Sequence, residues 1–208
     1  PAYPAAGPLV LFDAAHSNVH TSTGRYERFV ALMRADGYLI EPNTLPLDRG
    51  QLQTGAILVI VSALGANRDS TAERSGRPAF TSHELDFVEV WVRRGGSVLV
   101  MVDAVLAGIG NAALAARFGV HLADGWVGDP DSTHHWSGCR GCLRFTRATG
   151  LLGDHPITEG RDSTEQVRGV VSAVGQSLGS PSGTTALLRL GPGALDIHAG
   201  GDTTSAAG

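Results

Sequence analysis

Directly after the first apolar run, the chain reads Phe12-Asp13-Ala14-Ala15-His16-Ser17-Asn18-Val19-His20-Thr21, which gathers carboxylate, imidazole, amide and hydroxyl groups within a few residues. A carboxylate beside two imidazoles suits general acid/base work. Imidazole titrates near neutral pH, and a neighbouring carboxylate selects its tautomer and raises its pKa. If water is activated here, the base should be His16 or His20, because an unperturbed carboxylate is a weak base at pH 7. Asp13 then orients the imidazole, and replacing any of the three should lower turnover with little change in stability. The same groups could ligate a divalent metal such as zinc, with Asp103 as a further ligand. In the bland alternative, Asp13 and Asn18 cap the loop backbone and the histidines are ordinary polar surface.

Other polar groups are candidates to complete such a site. Leu152-Gly153-Asp154-His155-Pro156-Ile157-Thr158-Glu159-Gly160-Arg161 is dense in hydrogen-bonding groups. It makes His155 a further catalytic candidate and Arg161 a substrate-binding one, although Pro156 and Gly160 also suit a purely structural turn. Ser62, Asn67 and Gln176 are candidate substrate contacts with Asn18. Ser62 and Asn67 belong to a long polar stretch, 62–78, of the kind that lies over sites. Cys139 and Cys142 form one Cys-x-x-Cys pair, and His134 and His135 precede it. That spacing allows either a local disulfide or a metal clip of His134, His135, Cys139 and Cys142. No Gly-x-Ser-x-Gly or Gly-x-Cys-x-Gly nucleophile elbow, dinucleotide-binding glycine loop after the first strand or Walker loop is expected, which weighs against serine hydrolases, glutaminases and nucleotide enzymes.

Strands must position these groups. Pro8 to Phe12, Ala56 to Val61 and Ser97 to Val102 are continuous apolar runs of strand length, the pattern of strands buried on both faces. The first and third are followed or ended by Asp13 and Asp103, so both carboxylates should reach one edge of a sheet. Tyr38 to Ile40 is a shorter strand. Tyr26, Phe29, Val30, Leu32 and Met33 have helical spacing that stops at Asp36-Gly37. Thr81 caps a second helix that runs to Gly95-Gly96, and Gly110 to Phe118 is a third. Weaker strand patterns lie at 143–146, 167–174 and 185–190, and 125–141 reads as an irregular insertion. The alternation predicts an α/β, flavodoxin-like three-layer, doubly wound and mostly parallel sheet, with ligands at the carboxyl ends of its strands. At 208 residues, one domain over 1–208 is expected, with an insertion near 125–142.

Composition narrows the partners. Net charge is −4 and no basic run occurs, so nucleic acid is not an expected partner. All sixteen positive residues are Arg, which fits genomic composition better than a phosphate-binding surface. No apolar stretch approaches the roughly 20 residues of a membrane span. The small residues and prolines of Pro1 to Gly7 look like what remains after removal of an export signal.

The blocks Phe12-Asp13-x-Ala15-His16-x-Asn18-x-His20-Thr21-x-x-Gly24-Arg25-Tyr26, Asp36-Gly37-Tyr38, Gly95-Gly96-Ser97, Leu151 to Arg161 and Gly175-Gln176-Ser177-Leu178 resemble an uncharacterised family of exported bacterial proteins. That family is similar to the class I glutamine amidotransferase-like superfamily, with its trehalose-utilisation, gliding-motility and intraflagellar-transport domains. The resemblance implies a flavodoxin-like fold and a secreted or periplasmic location, and it implies no reaction. The family carries Glu and Asn where this chain has Ala14 and Ser17, and His where it has Ala104. It also continues past Ser205 to Gly208, so a truncated or processed C-terminus is expected.

Two functions follow. One is a secreted hydrolase in which the Asp/His cluster activates water on a small polar or carbohydrate-like substrate. The other is a non-catalytic module that binds a glycan, peptide or protein in the same cleft. Ala14 and Ala104 favour the second, and oligomeric state is left open.

Overall fold

The computed structural model describes residues 1–65, 78–102, 108–139, 141–173, 175–179, 181–198 and 200–206. The chain divides into two compact units, Pro1–Phe118 and Gly119–Gly208.

The first unit is built on four parallel strands, β1 (Leu9–Asp13), β2 (Leu39–Asn43), β3 (Ile57–Val61) and β4 (Ser97–Met101), in the order β2-β1-β3-β4. β1 and β3 are central, and their apolar runs are buried almost throughout. Successive residues face opposite sides of a strand, so each run feeds two cores. Val10, Phe12, Val59 and Val61 pack with Val30, Phe29 and Met33 of α1 (Glu27–Ala35). Leu11, Leu58 and Ile60 pack with residues of three helices: Leu52 of α2 (Arg49–Thr54), Leu85 and Val88 of α3 (Ser82–Arg93), and Leu114 of α4 (Gly108–Arg117).

Helix boundaries follow local chemistry. Thr81 and Glu84 form a reciprocal capping box at the start of α3, and Asp48 accepts from Gln51 N at 2.9 Å to cap α2. Gly37 turns the chain after α1 with φ 98°, and a Cβ there would lie 2.0 Å from Tyr3 O, so only glycine fits.

The second unit is antiparallel. β5 (His121–Leu122) pairs with β9 (Leu178–Gly179), and β7 (Cys142–Thr146) pairs with β8 (Gly169–Ala173). β6 (Trp126–Gly128), β10 (Leu195–Ile197) and β11 (Thr203–Ser205) form a sheet in the order β11-β10-β6. Its core is Val127, Leu143, Phe145, Leu151, Leu152 and Ala194. The one-turn helix α5 (Pro156–Glu159) follows His155.

These sheets correct the expected flavodoxin-like three-layer, doubly wound fold. Parallel pairing stops at four strands in the first unit, and the strands of the second unit are short and antiparallel. The expected strand at 185–190 is reduced to a single bridge, Leu152 to Leu188. Within the expected insertion at 125–142, Trp126–Gly128 forms β6. β4, expected to be wholly buried, is an edge strand with Leu99 41% exposed. Among the described residues, no helix is long and apolar enough to cross a membrane.

Candidate functional site

β1 ends on Asp13, which is completely buried. Three residues later His16 folds back, so that its Nδ1 lies 2.9 Å from both carboxylate oxygens of Asp13. Ser17, at φ 51°, turns the chain in the left-handed region. This lets Asn18 return, where its Nδ2 donates to Asp13 Oδ2 at 2.9 Å and its Oδ1 accepts from His16 N at 3.1 Å. The far nitrogen of the ring, Nε2, lies 2.8 Å from Glu84 Oε1. Phe80 covers the ring, with centroids 4.5 Å apart.

Glu84 is anchored in turn. Oε1 accepts from Leu47 N at 3.1 Å, and Oε2 accepts from Thr81 N at 2.9 Å and Thr81 Oγ1 at 2.8 Å. The capping box of α3 and the polar network at the end of β1 therefore share one carboxylate.

An ionised carboxylate can only accept, so the placement of His16 between Asp13 and Glu84 favours the ring form in which both nitrogens donate, the imidazolium. Burial by itself pushes the His16 pKa down, but the hydrogen bond and charge of Asp13, then those of Glu84, outweigh it and hold it above 6.5. For Glu84 burial pushes up, while the bonds from Thr81 N, His16, the Thr81 hydroxyl and Leu47 N bring its pKa to about 2.

The other candidates make contacts of their own. His20 lies against Tyr26, with ring centroids 5.4 Å apart, and makes no hydrogen bond to Asp13. Ser62 follows β3 at φ 46°, and its carbonyl accepts from Val19 N, which ties the first loop to the second. Asp103 and Asn67 lie outside the described residues. In the second unit, His155 Nδ1 accepts from Ile157 N at 3.2 Å and caps α5, which is the structural turn that Pro156 suggested. Arg161 pairs with Glu165 on the surface. Gln176 Nε2 donates to Ala123 O at 2.7 Å.

Cys139 and Cys142 form a disulfide, the first of the two readings their spacing allowed, and sulfurs held in a disulfide offer no thiolate to the alternative clip with His134 and His135. His134 Nδ1 instead meets Asp129 Oδ2 at 2.7 Å, and His135 Nε2 meets Asp129 O at 2.6 Å. Among the described residues, no group of three or more His, Cys, Asp or Glu side chains could hold a metal ion.

Two features escaped the sequence. Glu84 was visible as part of a helix start, but nothing local tied it to residue 16, 68 positions away. Gly175-Gln176-Ser177-Leu178-Gly179 does have the spacing Gly-x-Ser-x-Gly, contrary to the expectation that none occurs. It is not an elbow: Ser177 leads into β9 rather than a helix, is 9% exposed, and donates to Asp196 Oδ2 at 2.8 Å rather than to a histidine.

No protein-family model matches the chain, and no curated protein does. Among solved structures, the chain is similar to the "mmIFT52 N-terminal domain", with 15% identity and a TM-score of 0.63 over 89% of this chain and 74% of that one. At this identity the likeness concerns the fold alone, and it points to that domain's architecture rather than to a doubly wound flavodoxin-like sheet.

Proposed function

We propose that this chain is a non-catalytic recognition module, in which the loops at the carboxyl edge of the parallel sheet are riveted by His16 and presented to a small polar or carbohydrate-like ligand. The observation that carries this reading is the occupation of both His16 ring nitrogens by carboxylates, at 2.9 and 2.8 Å. A general base needs a free lone pair within reach of the water it activates. An imidazolium held at both ends has none, and Asp13 is committed to His16, Asn18 and Ala15 N. The residue blocks quoted above support membership of the exported bacterial family of the amidotransferase-like superfamily. The disulfide supports a secreted or periplasmic location, since such bonds persist in oxidising compartments.

The experiment pairs a turnover screen with a binding screen. Simple esters, amides and glycosides should be hydrolysed no faster than in buffer, while a glycan array should show retention that His20→Ala weakens, because His20 borders the same loop without belonging to the rivet. Hydrolysis that disappears in His20→Ala would restore the water-activating reading.

A further inference from the structure

A cavity of about 380 Å³ in the second unit is lined by Thr133, Arg144, Thr146, Arg147, Ala148, Thr149 and Arg168. Arg144 and Thr146 lie on the exposed face of β7, opposite Val171 and Gly169 of β8. Gly169, paired with Thr146, has no side chain to put across from it. Arg147 is locked in place: its Nε donates to Asp154 at 2.7 Å, and its two terminal nitrogens donate to the carbonyls of Val167 and Thr158. Arg144 and Arg168 make no ion pair among the described residues. Asp154, the acid that touches this cluster, is neutralised by Arg147. Two uncompensated guanidinium groups therefore face one cavity whose rim carries three threonine side chains, in a protein of net charge −4.

We propose that this cleft binds an oxyanion group, the sulfate, phosphate or carboxylate of a small polar ligand, through Arg144 and Arg168. Guanidinium groups present fixed forks of donors that match oxyanion geometry, and such charge-assisted bonds are about twice as strong as neutral ones. The flanking hydroxyls can add donors of their own. The site is remote in sequence from the His16 network, and the proposal holds whether or not the first loop turns anything over.

The test is a titration of the ¹⁵N-labelled full chain at low salt, where screening is weak, with inorganic sulfate, inorganic phosphate, glucuronate and neutral glucose. The oxyanions should shift the amides of Thr133, Thr146 and Thr149 saturably, with a Kd of about 10 mM or tighter, and glucose should not. Arg144→Gln and Arg168→Gln should each weaken binding about tenfold. Preference for glucuronate supports a carboxylate on a sugar, and preference for sulfate or phosphate supports a tetrahedral group. Absence of saturable shifts, equal shifts with glucose, or binding that survives both arginine variants in folded protein would overturn the proposal.

Discussion

His16 changes role between sequence and structure. As a residue type beside a carboxylate it reads as a base, and as an imidazolium between two carboxylates it is a fastener. The expectation that its loss would barely affect stability is therefore reversed. His16→Ala leaves Asp13 buried without its cationic partner, and breaking a buried pair in this way costs about 3 to 5 kcal/mol. Urea denaturation should show the loss as a lower midpoint. The pH dependence has a definite sign. The raised pKa of His16 contributes stability that is complete below 6.5 and disappears as pH rises through the folded value. The lowered pKa of Glu84 contributes stability present above 4.5 and lost as pH falls towards about 2. The difference in stability between wild type and His16→Ala should be greatest between those limits, from about pH 4.5 to 6.5, and a difference that does not vary with pH would count against the imidazolium.

At the scale of elements, α3 carries the network through its first turn. Thr81→Ala removes both the N-cap acceptor and the hydroxyl that holds Glu84 Oε2. It should cost about 1 to 2 kcal/mol, more than an ordinary cap, with Thr81→Ser restoring most of it. The acid limb of the stability profile should move upward in pH at the same time. The elements that sequence made legible share a cause. β1 and β3 are unbroken apolar runs of strand length, α1 and α3 carry apolar groups at helical spacing, and Thr81 and Gly37 have local chemistry that starts or stops a helix. What was not legible is short or depends on distant partners. β5, β6 and β9 to β11 are two or three residues long, too brief for a period to register. The exposure of β4 follows from its edge position, which its apolar sequence does not encode. Within the site, Asp13, His16 and Asn18 could be read from one loop, whereas Glu84 arrives from another element.

For the whole molecule, the two compact units differ in how they are held. Parallel strands and buried apolar runs hold the first, while the second has short sheets and a covalent link between Cys139 and Cys142. The link closes a very short loop, so chain entropy gives it only about 2 kcal/mol. Reduction should perturb the amides of β7 and its neighbours and leave those of β1 and β3 unmoved. A loss of the β1 signals would mean that the units do not respond separately. The rivet at His16 carries a further consequence, for the rate at which the first unit forms. Its halves are 68 residues apart, and closing a loop of that length costs chain entropy, so the contact is expected to form late in folding. Stopped-flow measurements on His16→Ala should thus show an unchanged refolding limb and a faster unfolding limb. On this view the imidazolium does not guide the chain to its native state but slows its escape.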